Sequence, residues 1–513
     1  MAMCIYHKFN DKARALFFAN TGLLLLLLHF NSSEEYNNGM FDPGRWLWGL
    51  IGGLAGLVVA GICIVIVYLI LEEQKRKKFL KHLVSRLETA DLLLEEGMAA
   101  DALNICNDLL ARVSKIKEPH IYARIKNSQG SCFAHFYISD KKPETLLKAI
   151  TAYEEALRFT DPLKFPDMDA LIQFNLGESC LKISAFLDKE LYLTRAINVF
   201  NMCLKLYTLE ASPLKYVVAQ SSLGNAFKAL AGIRDAAECQ IRAIQAYEAA
   251  LIFYTADSYP LNFAETQSSL GSVLKGLAYF INVEENLLRA VDAFRSSLGI
   301  YLPDRYPMEF ADSQKKLADT YKALALHRRS EADFQNAIDA YKEALKVYIF
   351  DKYPEGFAET HIQIGDAYSS FARIKDKRDN LRRSIQAYEE ALLVYTFEDQ
   401  PRKYAPVQLS IADINMLLFD DAREREDLIN GIKAYLEALK VKTLDSSRVE
   451  YASIQHTLGN AYYALAKIKD YPENASNAER AYGEALRVFT YDKFPSQHKE
   501  ISDIIETIKR TTF

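Results

Sequence analysis

The stretch "AIQAYEAALIFYT", residues 243–255, returns as "AIDAYKEALKVYI" at 337–349 and as "SIQAYEEALLVYT" at 384–396. Its first position falls at Ala149, Ala196, Ala243, Ala290, Ala337, Ser384, Gly431 and Ala478, each step being 47 residues without an insertion. An aromatic follows four places on, from Tyr153, Phe200 and Tyr247 to Tyr482, and a leucine eight places on, from Leu157 to Leu486. A second cluster keeps the same step: Leu176-Gly177, Leu223-Gly224, Leu270-Gly271, Leu317-Ala318, Ile364-Gly365, Ile411-Ala412 and Leu458-Gly459. Proline recurs at 166, 213, 260, 307, 354, 401 and 495, with Arg448 in its place once. Self-similarity at a fixed period of this size marks a stacked-repeat architecture.

Within one unit the apolar spacing is helical. Ala243, Ile244, Tyr247, Ala250, Leu251 and Tyr254 follow the i, i+3/i+4, i+7 rule for one buried face. "ADSYP" then ends the helix, because proline lacks an N–H and fixes its own φ. "LNFAETQSSLGSVLKGLAYF" supplies a second amphipathic helix, and "NVEEN" leads into the next copy. One unit is a helical hairpin, and no β pattern interrupts the array. Such hairpins bury their apolar faces only by stacking, so the aromatic columns at Tyr247, Tyr254, Tyr259 and Phe263 read as packing between repeats.

"LGNAY" at 458–462 and "AITAYEEA" at 149–156 carry a resemblance to the tetratricopeptide repeat, whose first helix has Leu-Gly-x-x-Tyr and whose second has Ala-x-x-x-aromatic-x-x-Ala. The resemblance covers roughly residues 83–513, although the period exceeds the family's roughly 34. Only the first unit, with Ala90 and Ala102, keeps the family's short spacing; the long-period form is similar to arrays of bacterial multi-repeat proteins. The resemblance implies an all-α, right-handed α-solenoid of helical hairpins that binds proteins or peptides.

The other strong signal is "RWLWGLIGGLAGLVVAGICIVIVYLILEEQKRKK". Residues 46–71 contain no charge over 26 positions, against the roughly 20 that span a bilayer. The chain's only two tryptophans, Trp46 and Trp48, sit at one edge, as interfacial aromatics do. Lys75, Arg76, Lys77, Lys78 and Lys81 follow, so the positive-inside rule places the array in the cytoplasm, with the chain anchored in the cell (inner) membrane by one or two N-terminal spans. The expected domains are an N-terminal segment 1–45, a transmembrane helix 46–71, a basic juxtamembrane segment 72–82 and the array 83–513. Residues 15–30 read as a short first span or a signal sequence, and Met40 is an alternative start. Gly49, Gly52, Gly53, Gly56 and Ala60 form overlapping small-xxx-small pairs, an arrangement that packs membrane helices and would support a homo-oligomer.

Composition excludes several classes. The total charge is −5; residues 1–45 balance and 72–82 are basic, so the array is acidic and lacks a nucleic-acid footprint. The juxtamembrane lysines suit anionic lipid headgroups, at about 1 kcal/mol each. The seven cysteines show no C-x-x-C spacing and read as packed thiols. His361 occupies a column filled elsewhere by Gln267 and Gln314, so it is first a repeat position. No phosphate-loop, dinucleotide, nucleophile-elbow or zinc-helix motif occurs. No enzyme, cofactor or metal site is expected.

The expected function is a membrane-anchored interaction scaffold. The alternatives are a self-assembling structural solenoid and a sensor or enzyme-accessory subunit. In the resembled family, side chains just after the Leu-Gly glycine line the binding groove. Here that column reads Glu178, Asn225, Ser272, Asp319, Asp366, Asp413 and Asn460, with Lys228, Lys275 and Lys322 one turn on. This polar ladder suits an extended polar or basic-tailed peptide. The family's Lys/Asn grip on a terminal carboxylate is not reproduced, because Lys315 precedes Asp319 rather than an asparagine.

Overall fold

The computed structural model describes residues 43–511. The expected first span or signal sequence at 15–30, the alternative start at Met40, and Cys4 lie outside the described residues. Nineteen helices and no strand occur among the described residues. They fall into two compact units, one ending at Asp140 and one running from Lys141.

In the first unit, α1 (Pro43–Glu95) is a single helix of 53 residues, about 80 Å long at ~1.5 Å per residue. Its part from Ile51 is long and apolar enough to cross a membrane, with a mean hydropathy of 3.0 and none of that window buried. The helix does not break at the expected boundaries after 71 and 82; it runs through the exposed lysines into Leu83, Leu87 and Ala90, which are buried. It ends in a turn at Gly97, whose φ of +83° is a conformation glycine adopts without a Cβ clash. There Met98 N–H donates to Leu93 O at 2.8 Å and Gly97 N–H to Leu94 O at 3.1 Å, the paired bonds of a Schellman stop. α2 (Ala99–Arg112) then folds back, and Cys106 and Leu109 meet the buried residues of α1 and Ile121, Ile125 and Cys132 of α3 (Pro119–Asp140). The six described cysteines are free, and all but Cys63 are buried.

The second unit opens with α4 (Pro143–Arg158) and continues as hairpins of an A helix and a B helix. The first three are α5–α6 (Pro166–Ile183, Lys189–Cys203), α7–α8 (Pro213–Leu230, Ala236–Leu251) and α9–α10 (Pro260–Leu277, Val283–Leu298). Next come α11–α12 (Pro307–Arg328, Glu331–Leu345), α13–α14 (Pro354–Phe371, Lys377–Leu392) and α15–α16 (Pro401–Ala422, Arg425–Leu439). The last are α17–α18 (Arg448–Ala466, Tyr471–Leu486) and a single A helix, α19 (Pro495–Thr511). Each recurrent proline opens its A helix in the first turn, where a missing N–H leaves no helical bond unmade.

The turn from A to B helix has a repeated backbone device that the letters hide. Asp235, Asn282, Arg329, Asp376, Arg423 and Asp470, again 47 apart, all take left-handed φ between 43° and 57°. Asp and Asn tolerate this region better than other non-glycine residues, and they fill four of the six positions. Asn286, Asn380 and Asn474 brace three of these turns, each donating from Nδ2 to the carbonyl just before the left-handed residue at 2.8–2.9 Å. The related turn at Asp188 has φ −44° and is capped instead by its carboxylate, which accepts from Leu191 N–H at 3.0 Å.

Hairpins close on a glycine–aromatic contact. A Cβ placed on Gly177, Gly224, Gly271, Gly365 or Gly459 would lie 2.5–2.9 Å from the ring of Phe200, Tyr247, Phe294, Tyr388 or Tyr482. The recurring Leu-Gly and aromatic columns are therefore the two sides of one joint, in which the A helix backbone admits a B helix ring. Stacking then joins hairpins into shared cores: one buried cluster runs from Ala358 through Tyr388, Leu418 and Tyr435 to Ala481, and smaller ones lie between other neighbours. The loop aromatics pack as well, with edge-on pairs Tyr254–Tyr259, Tyr301–Tyr306 and Tyr348–Tyr353 at 5.8–6.1 Å.

Candidate partner-binding face on the A helices

Successive A helices α5, α7, α9, α11 and α13 pack directly on one another, so their Leu-Gly faces form one surface of the second unit. The expected ladder lies on this surface, and the fold gives most of its members a second task. The Tyr247 hydroxyl donates to Asn225 Oδ1 at 2.7 Å, Tyr341 to Asp319 at 2.5 Å, and Tyr388 to Asp366 at 2.6 Å. Tyr435 donates to Asp413 and Tyr482 to Asn460, both at 2.6 Å. In every case the acceptor precedes the tyrosine by 22 residues, within the same hairpin.

Where the B helix carries Phe instead, the ladder residue is neither Asp nor Asn. Glu178, opposite Phe200, accepts from Ser222 at 2.6 Å, and Ser272, opposite Phe294, donates to Ser268 O at 2.8 Å. From α5 onward the column thus follows the presence of a hydroxyl, with Asn or Asp opposite Tyr and Glu or Ser opposite Phe. Burial raises the Tyr341, Tyr388 and Tyr435 phenols well above their ordinary pKa, and the Asp accepting from each raises it further. These hydroxyls remain protonated donors.

The lysines divide. Lys275 reaches from α9 to Asp319 on α11 at 3.2 Å. Lys228 is exposed and donates to Ser269 on the next A helix at 3.3 Å. Lys322 is half-buried on α11. Lys315 pairs not with Asp319, one turn on, but with Glu359 of the next hairpin at 3.5 Å. Asp366 and Asp413 are exposed, which leaves acidic character toward the C-terminal hairpins. His361 lies against Phe357, with ring centroids 4.4 Å apart, and burial lowers its pKa, so it packs as a neutral ring.

A cavity of about 170 Å3 opens on the same face between α7 and α9, lined by Ser221, Ser222, Asn225, Asn262, Glu265 and Thr266 among others. Of these only Asn225 belongs to the ladder expected from the sequence; the others are not singled out there, although "SSLG" occurs at both 221 and 268. The corresponding positions on the following A helices are Lys315-Lys316, Ile362-Gln363 and Leu409-Ser410, so the small hydroxyl pairs set the opening's place. Among the described residues no three His, Cys, Asp or Glu side chains gather in a metal-holding set.

No protein-family model matches the chain, and no curated protein does either. Solved structures give loose likenesses. The C-terminal part of a TPR repeat-containing protein from Cytophaga hutchinsonii is 16% identical, covers 60% of this chain and 95% of its own, and has a TM-score of 0.40. The apo form of RapI is 12% identical over 80% of this chain and 98% of its own, with a TM-score of 0.41. The apo form of the quorum sensor NprR from B. thuringiensis is 14% identical over 80% and 99%, with a TM-score of 0.40. The assignment itself comes from the chain's own joints, a Leu-Gly A helix admitting the aromatic of an Ala-x-x-x-aromatic B helix, hairpin after hairpin. The chain is an all-α, tetratricopeptide-like solenoid of helical hairpins.

Proposed function

We propose that the chain is a membrane-anchored scaffold without catalytic activity of its own, which docks an extended polar or basic segment of a protein partner along the A-helix face. The observation that supports this most is that face: a run of neighbouring A helices with an open hydroxyl-lined cavity, lysines in the middle, and exposed Asp366 and Asp413 beyond. Charge ordered along a groove selects a partner's register more than it adds affinity. The anchor is the apolar part of α1, residues 46–71, with 72–82 at the headgroups and 83–513 in the cytoplasm by the positive-inside rule. The exposed Lys75, Lys77, Lys78 and Lys81 would add contacts to anionic headgroups.

The test follows from the ladder's double use. Asp319→Asn, Asp366→Asn and Asp413→Asn together remove three charges and keep an oxygen for each tyrosine, as Asn225 and Asn460 already do. The expected result is an unchanged circular dichroism spectrum, with at least ~10-fold less partner recovered by cross-linking in membranes. Tenfold corresponds to about 1.4 kcal/mol, within reach of three lost surface charge pairs. Undiminished recovery with the fold intact would move the site off this face.

Self-association belongs to the same proposal. Among the described residues, a Cβ added to Gly49, Gly52, Gly53 or Gly56 would meet no atom beyond its own helix turn within 4 Å, which supports reading this side of α1 as a surface for a second helix. Gly53→Ile with Gly56→Ile is expected to abolish dimer signal in a membrane two-hybrid reporter; a signal as strong as the parent's would reduce the glycines to ordinary membrane composition.

A further inference from the structure

Successive A helices meet at a fixed register, and two of these meetings set a basic side chain against a glutamate at equivalent places. Lys315 of α11 faces Glu359 of α13, and His456 of α17 faces Glu500 of α19. The partners are 44 residues apart in both cases, and the two pairs are three 47-residue steps apart. At the same register other junctions carry Ser221 with Glu265, Ser268 with Asp312, Ile362 with Pro406 and Leu409 with Ser453. His456 thus puts a titratable ring where α11 has a lysine.

The two basic side chains are equally buried, at 16% and 17% exposure, but they differ in reach. The flexible Lys315 ammonium donates to Glu359 at 3.5 Å and lies 5.6 Å from the Tyr348 ring centroid. The short imidazole of His456 stops 3.8 Å from Glu500 Oε1, and its buried Nε2 has no hydrogen-bond partner among the described residues. The ring stands beside Tyr482 of α18, with centroids 6.0 Å apart, and the residue at its register on α15 is the apolar Leu409. Glu500 is more than half exposed, so water screens what it offers a protonated ring. Burial lowers the His456 pKa, and the Glu500 charge offsets this only in part. The ring is accordingly neutral in the folded array at neutral pH.

Next to this contact lies the packing that holds α19. Its Ile501 and Ile508 are buried in one cluster with Ala452 and Ala466 of α17 and Tyr482 of α18. We infer that this junction is acid-sensitive: protonating His456 sets a charge beside that cluster without a bonded partner and loosens α19 from α17 and α18. A base whose folded pKa is lowered holds the fold best when neutral. The hold on α19 is complete above the ordinary histidine value of about 6.5, and is lost as pH falls through the lower value of the folded state. No such step is expected at the α11–α13 junction, where a bonded lysine stands in the same place. His456 lies one turn before Asn460, so the joint stands at the last ladder position of the A-helix face. Neither a partner nor the membrane anchor enters it.

The test is hydrogen exchange of the full chain in detergent micelles at about pH 7.5 and about pH 5.5, the parent against His456→Gln. Taking the ratio of the two chains at each pH cancels the intrinsic exchange rate and the groups they share, His498 on α19 included. Between the two pH values the ratio for the α19 amides is expected to rise roughly threefold to tenfold, about tenfold being the limit for one ordinary histidine in the opened form. The ratio for the α13 amides should stay flat. His456→Lys, which remakes the α11–α13 pair, should behave as His456→Gln does, and it serves as the reference if the glutamine variant loses its helical circular dichroism spectrum. Glu500→Gln removes the charge that favours the protonated ring, so it should hold the acid effect at that limit or carry it there. A ratio independent of pH would reduce His456 to a packing residue and overturn the proposal. An α19 that gains protection in acid would overturn it too, as would an acid effect that Glu500→Gln abolishes.

Discussion

Tyr341→Ala is expected to lower the stability of its hairpin by about 3–5 kcal/mol, the range for truncating a buried aromatic. The side chain is fully buried between α11 and α12, and its hydroxyl donates to Asp319 at 2.5 Å. Ala leaves a cavity that helices fixed by neighbours on both sides cannot collapse into. Tyr341→Phe separates ring from hydroxyl: it keeps the packing and removes one bond to a charged acceptor, worth about 1.5–3 kcal/mol. The lower end is expected, because Asp319 is partly exposed and retains Lys275. Phe200 and Phe294 in the same column show that the ring alone fills the joint. Stability in a stacked array is close to a sum of unit and neighbour terms, so a single melting temperature describes it poorly. Hydrogen exchange is the suitable readout, with protection lost first in α11 and α12, then in the hairpins on either side. Equal losses for Ala and Phe would show that the hydroxyl, rather than the ring, holds the joint.

The repeat and the hairpins were legible because apolar period and proline punctuation are local signals. Pro166, Pro213 and Pro260 each stand at the start of an A helix. The register extends one step earlier than the Leu-Gly column suggested: Pro119 opens α3, and Gly130 is buried on it where the leucine is replaced by Gln129. Other features were not legible because they depend on the chain meeting itself. From α5 onward the exchange of Tyr with Asn or Asp, and of Phe with Glu or Ser, is written in the sequence at a separation of 22, whereas Tyr153 is preceded at that distance by Ser131. It becomes a hydrogen bond only when the A and B helices fold together. The left-handed turn column mixes Asp, Asn and Arg, so no residue type announces it. Arg329 and Arg423 are held there by the helices they join, not by their own preference. The division after Asp140 leaves no mark on the period, which passes through it unchanged. The cavity between α7 and α9 depends on small residues of two successive hairpins facing one another, which a column-by-column reading treats as ordinary helix surface.

Gly224→Val should damage its hairpin by about 3 kcal/mol, the upper part of the range for overpacking a close contact. A Cβ at Gly224 already comes within 2.7 Å of Tyr247 Cε1, and the two further methyls of valine must enter the same ring. Tyr247 cannot swing aside cheaply, since it is buried and its hydroxyl is held by Asn225. Gly224→Ala is the informative contrast. Ala318 and Ala412 occupy the equivalent positions of two other hairpins and are buried there, so the joint can widen by one methyl. Ala also gains about 1 kcal/mol of helix propensity over Gly, which offsets the strain and leaves a change near zero. A contact this direct must also be non-additive. Tyr247→Leu removes ring volume at a cost of its own, but in the Gly224→Val background it makes room for the new methyls. The double variant should therefore be less destabilised than the sum of the two single changes by at least ~1 kcal/mol. Additive losses, measured by exchange of the α7 and α8 amides, would mean that the glycine column serves helix geometry alone and that the aromatic column packs elsewhere.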